Sequence, residues 1–145
     1  MPSVINKIGL LLLLAGGVQA QPILKLNGPS QARYGLSTSV NAVILRNGIT
    51  GPVRLVAEIP SEWLLKKAVN EKALFSQDAN WVKAVWLDFP VKDTVMCSMQ
   101  MSIPASFRGK GIINAHLEYF DQNQKKTVKT APFTIDVKKY YSRII

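Results

Sequence analysis

Apolar and polar residues alternate with a period of two along most of this chain. Val53, Leu55, Ala57 and Ile59 fall on one side of a segment, with Arg54, Val56 and Glu58 on the other. Trp81 to Leu87 repeats the device, with Val82, Ala84 and Trp86 on one face and Trp81, Lys83, Val85 and Leu87 on the other. In Thr94 to Met101 the inward set is Val95, Cys97, Met99 and Met101, and in Ile112 to Phe120 it is Ile113, Ala115, Leu117 and Tyr119. A period of two is the signature of a strand with one buried face.

Further strands are predicted at Pro22 to Leu26, Ser37 to Arg46, Ala73 to Phe75 and Thr127 to Val137, where Pro132 marks a bulge or an edge position. Turn residues separate them. Asn27-Gly28-Pro29-Ser30 and Asn47-Gly48 are the first two, and Asn-Gly tolerates the positive φ of tight hairpins. Gln77 to Asn80, the basic Arg108-Gly109-Lys110-Gly111 and Asp121 to Gln124 are the others. Ser61 to Lys72 is the only helix-like stretch, either one or two turns capped by Ser61 or an irregular connection between sheets. About seven or eight short strands with turns between them predict an all-β, antiparallel, immunoglobulin-like sandwich. A parallel sheet would need helices between its strands.

The first residues do not fit this pattern. Lys7 precedes the apolar run Ile8 to Gly17, and Val18-Gln19-Ala20 supplies short side chains suited to a signal peptidase. The run is about ten residues, half of the ~20 that a spanning helix needs. Residues 1–20 are therefore expected to be a cleaved signal peptide and residues 21–145 a single sandwich domain. An uncleaved anchor is the alternative. No second stretch is long enough to span a membrane, so the mature protein is expected in the periplasm, at the cell surface or secreted.

Composition narrows the chemistry. The chain has 145 residues, one histidine, one cysteine and a formal net charge of +9. A single cysteine forms no internal disulfide and no Cys-rich zinc site. Cys97 alternates with core residues and reads as a buried thiol, against a reactive thiol or a disulfide between chains. His116 stands mid-strand with no motif to orient it for catalysis. The nine carboxylates show no spacing typical of a glycosidase pair or a calcium loop. Phosphate-loop and nucleophile-elbow motifs are absent. No catalytic residue, cofactor or metal is expected, and the protein is read as a non-enzyme.

The excess of positive charge favours anionic partners such as polysaccharide, or simply keeps the protein soluble. No nucleic-acid motif accompanies it. Candidate partner contacts are Trp63 and Trp81, which could stack on sugar rings, Lys125 and Lys126 beside the hairpin tip, and Tyr140 and Tyr141 in the tail. The tail could extend the last strand or offer one to a neighbour.

Three stretches carry a resemblance. Val53 to Trp63 is a strand ending in Ile59-Pro60-Ser61-Glu62-Trp63, Val82 to Pro90 is a second strand closed by Asp88-Phe89-Pro90, and Val95 to Pro104 leads into Gly111 to Phe120. This layout resembles the small exported immunoglobulin-like domains of Bacteroidota-type envelope and surface proteins. The chain departs from antibody-type domains, which pair two cysteines across the sheets. The resemblance implies a role in adhesion, envelope assembly or secretion machinery, with envelope or surface proteins engaged by strand pairing. A carbohydrate-binding module using exposed Trp and Lys is the second reading.

Overall fold

The computed structural model describes residues 21–139. The expected signal peptide, Tyr140 and Tyr141 lie outside the described residues. Eleven strands follow in chain order: β1 (Ile23–Asn27), β2 (Gln31–Arg33), β3 (Ser37–Leu45), β4 (Val53–Glu58), β5 (Leu64–Val69), β6 (Leu74–Asp78), β7 (Trp81–Trp86), β8 (Thr94–Ser102), β9 (Gly109–Asp121), β10 (Gln124–Lys129) and β11 (Phe133–Lys138). One sheet has the order β1-β3-β8-β5, and the other β2-β11-β9-β4-β7-β6 with β10 also on β9. All pairings are antiparallel except β2 with β11, which is parallel. The fold is therefore the two-sheet β-sandwich that the alternation predicts.

The inward sets meet between the sheets. Val40, Ala42 and Ile44 of β3 and Val95, Cys97, Met99 and Met101 of β8 supply one inner face. Leu55 and Ala57 of β4, Val82, Ala84 and Trp86 of β7, and Ile113, Ala115, Leu117 and Tyr119 of β9 supply the other. Each fully buried large aliphatic side chain contributes roughly 1.5–3 kcal/mol relative to exposure. Trp86 and Phe89 meet edge to face at 5.1 Å, and Trp63 and Phe107 at 5.3 Å.

Four expectations need correction. The helix-like stretch contains strand β5, which pairs with Ser102 to Ser98 of β8 through a bulge between Leu65 and Lys67. The free edge of β8 offers backbone groups that need partners, and this outweighs the local helix preference of Leu, Lys and Ala. Asn47 and Gly48 do have positive φ, 46° and 84°. The segment they turn joins β3 to β4 across the two sheets, however, instead of closing a hairpin. The tight hairpins are at Ala79-Asn80 and at Gln122-Asn123, and Gln77 and Asp78 belong to β6. Finally, the expected basic turn at Arg108 to Gly111 is the start of β9, where Gly109 to Gly111 pair with β11.

The expected last strand is broken in one place. Lys129 faces His116 and Phe133 faces Ile113, so three residues, Thr130 to Pro132, oppose Asn114 and Ala115. This is a β-bulge, with the Thr130 N–H donating to the Ala115 carbonyl at 3.1 Å. Pro132, which has no N–H to give to a ladder, sits inside it.

Gly111 shows why β9 has a glycine in mid-strand. A Cβ there would lie 2.6 Å from Cη2 and 2.7 Å from Cζ2 of the buried Trp63 indole. Gly111→Ala is expected to lower stability by about 1–3 kcal/mol through overpacking, read from urea and thermal unfolding. Wild-type stability in that variant would show that Trp63 is not seated on Gly111.

Candidate functional site

The outer face of the larger sheet carries two adjacent clusters with different chemistry. Alternation points Arg54 of β4 and Glu118 of β9 outward, and the register sets them opposite each other. Glu118 is only 8% exposed. Its carboxylate accepts from Arg54 Nε at 2.7 Å and Nη2 at 2.9 Å, and from Lys125 Nζ at 2.7 Å. His116 Nε2 lies 3.7 Å away. Burial alone would raise the carboxyl pKa. The hydrogen bonds and charges of Lys125 and Arg54 outweigh it and hold the group below its ordinary value of 4.5. A hollow of about 200 Å³ beside this cluster is walled by Pro52, Val85 and Phe120.

One step along the strands lies a cleft of about 340 Å³, lined by Glu58, Trp81, Asn114, His116, Lys129 and Thr130 among others. Trp81 faces Glu58 across β7 and β4, and Glu58 faces Asn114 across β4 and β9. The bulge brings Thr130 to its far wall. Among the described residues, the side chains of Trp81, Glu58, Asn114 and Lys129 make no hydrogen bond or ion pair with one another or with any other group. The Glu118 cluster is saturated and this one is open.

The outer face of the smaller sheet is different again. It mixes Ser, Thr, Asn and Gln with Lys25, Lys66 and Lys67 and with exposed apolar side chains at Ile23, Met96, Val69 and Leu64.

The candidate contacts separate accordingly. Trp81 is 40% exposed. Trp63 is 0% exposed and is corrected from a surface stacking residue to a core residue. The turn in which the Trp63 N–H donates to the Pro60 carbonyl, at 3.1 Å, precedes a side chain seated over Gly111 and against Phe107. Lys125 and Lys126 are both exposed, and Lys125 is also held by Glu118. Cys97 is buried, and desolvation pushes its thiol up to about 12. No group of three or more His, Cys, Asp or Glu side chains suited to a metal ion occurs among the described residues. No helix among them is long and apolar enough to cross a membrane.

Two amides were not legible in the sequence. Asn70 Oδ1 accepts from Trp86 Nε1 at 2.7 Å and its Nδ2 donates to the Met96 carbonyl at 2.7 Å. Gln77 Oε1 accepts from the Leu65 N–H at 2.8 Å and its Nε2 donates to the Trp63 carbonyl at 2.9 Å. Lone amides near turns carry no signal of such bridges.

The geometry defines an all-β, two-sheet sandwich. Over 83% of this chain and 93% of the other, it is similar to a non-cellulosomal cohesin from the archaeon Archaeoglobus fulgidus, with a TM-score of 0.63 and 14% identity. It is also similar to a DUF4466 family protein from Parabacteroides merdae, with a TM-score of 0.51 and 12% identity over 81% of this chain and 46% of that one. A third similarity, with a TM-score of 0.50 and 10% identity, covers 86% of this chain and 19% of a GH20 exo-β-N-acetylglucosaminidase from Vibrio harveyi. At these identities the likeness is one of fold. No protein-family model matches the chain, and no curated protein matches it.

Two outcomes follow from the buried groups. The folded pKa of Glu118 is depressed, so its stabilisation is present above the unfolded value near 4.5 and is lost as pH falls through the folded value. Wild type should therefore lose stability on acidification below about pH 4.5 more steeply than Glu118→Gln, and parallel curves would mean that the cluster does not form. At pH 8, Cys97 should resist a thiol reagent in the native protein and react fully in denaturant. Rapid native labelling would place the thiol at the surface.

Proposed function

We propose that this protein is a non-enzymatic binding or assembly domain of the bacterial envelope, exported and working as a subunit of a surface or secretion complex. Its fold is shared with a non-cellulosomal cohesin, which supports a binding or assembly role. The contact mode is strand addition at an open sheet edge.

The state of the edges carries this reading. β5 has its Leu65 N–H capped by Gln77, and β6 lies across from it. β2 is three residues long. β10 carries Lys125, Lys126 and Lys129, charges of the kind that discourage strand pairing. β1 has five residues, a single charge at Lys25, and Ile23 42% exposed. Among the described residues it pairs with β3 alone. An edge with so few guards is a template for an incoming strand.

The test is mild cross-linking in the native envelope, with mass spectrometry of what co-purifies and of the cross-linked sites. A reproducible set of envelope proteins cross-linked near β1, lost with Ile23→Lys while the melting temperature holds, is the expected outcome. No reproducible set, or capture unchanged by Ile23→Lys, would overturn the strand-addition reading.

A further inference from the structure

We infer that the Trp81 cleft is a subsite for an acidic oligosaccharide in which a neutral pyranose stands next to a uronate. The cleft lies on the face of the larger sheet, whereas the β1 edge belongs to the smaller one, so the two readings stand or fall separately.

The first ground is the unused chemistry. This chain has 18 basic and 9 acidic residues, and Glu118 collects both Arg54 and Lys125. Glu58, partly buried on the same face, has no cation paired with it. Asn114 beside it also keeps its amide free, and Lys129 its ammonium. A half-buried carboxylate prefers a partner, and none is supplied from within the described chain.

The second ground is the combination. An indole face matches the apolar C–H face of a pyranose. A carboxylate accepts hydrogen bonds, and an amide both donates and accepts, so Glu58 and Asn114 side by side can hold neighbouring hydroxyls of one ring. A cleft of about 340 Å³ falls within the ~300–1,000 Å³ range of small-ligand sites.

The third ground is the spacing. Trp81, Glu58, Asn114 and Lys129 belong to the consecutive strands β7, β4, β9 and β10. Strands lie about 4.8 Å apart, so Trp81 and Lys129 are separated by about 14 Å across the sheet. That is wider than one ring. A ring stacked on Trp81 with its hydroxyls on Glu58 and Asn114 puts the next ring over Lys129. An ammonium there, beside His116 in the same register pair, fits a sugar carboxylate. The acid group is kept two strands from Glu58, which accounts for a neutral ring first and a charged ring second. The β-bulge at Thr130 to Pro132 walls the cleft on that side.

The experiment is a titration of the folded protein, followed by Trp fluorescence and calorimetry. The probes are a hyaluronan hexasaccharide, which alternates uronate with a neutral amino sugar, and the uncharged chitohexaose. Trp63 and Trp86 are both 0% exposed, so Trp81 is the reporter. Saturable binding of the acidic probe is expected, abolished by Trp81→Ala and weakened at least tenfold by Lys129→Met, with circular dichroism unchanged. Neutral oligosaccharide should bind at least tenfold more weakly and be indifferent to Lys129→Met. No binding of the acidic probe at millimolar concentration would overturn the site, as would binding that survives Trp81→Ala. Equal affinity for both probes would overturn its acidic specificity. Should Trp81→Ala fail to fold, Asn114→Ala takes its place, and unchanged affinity in that variant would overturn the site.

Discussion

Asn70 and Gln77 each put a side-chain amide across from one sheet to the other. Asn70 ties the Trp86 indole of β7 to the backbone of β8, and Gln77 of β6 ties the start of β5. A sandwich without a disulfide relies on its dry core for closure, and at this side the core ends in groups that must not be left unpaired. The Trp86 N–H is buried, and the Leu65 N–H stands on the free side of an edge strand. An unpaired buried donor costs roughly 1–3 kcal/mol. The two amides remove that cost and cap β5 in the same stroke, so the need to satisfy the core also decides which edge is closed to visitors.

Closing one side gives the molecule a polarity. At the β1 side no side-chain hydrogen bond links the edge strand to the opposite sheet among the described residues. The broad faces differ as well. The smaller sheet shows small polar residues and lysines broken by Ile23, Met96, Val69 and Leu64. The larger sheet holds a satisfied ionic cluster around Glu118 beside an unsatisfied row that starts at Trp81. Saturated charges stabilise and orient, whereas free ones are available to a ligand.

The Trp63–Gly111 contact links chain segments far apart in sequence. A large indole is accommodated because residue 111 has no Cβ, and Phe107 packs on its edge. Both residues resemble surface features when read in sequence: an aromatic in a connection and a glycine in a basic turn. Together they fill one end of the core.

Period-two alternation is a local property of an extended backbone, because successive side chains point to opposite faces whatever the strand pairs with. The inward sets of β4, β7, β8 and β9 could therefore be read from the sequence, and with them the all-β class, the burial of Cys97 and Trp86 and the exposure of Trp81. Pro132 marked the bulge because it cannot serve a ladder. Pairing is non-local. That Leu64 to Val69 became a strand depended on the free edge of β8, and the burial of Trp63 depended on Gly111, 48 residues further on in the chain (111 − 63). The meeting of Arg54 with Glu118, and of Trp81 with Glu58 and Asn114, depended on strand order and register. The candidate site was thus visible as single residues, and only the tertiary structure assembled them, because a register shift of one residue would have sent every one of those side chains to the other face.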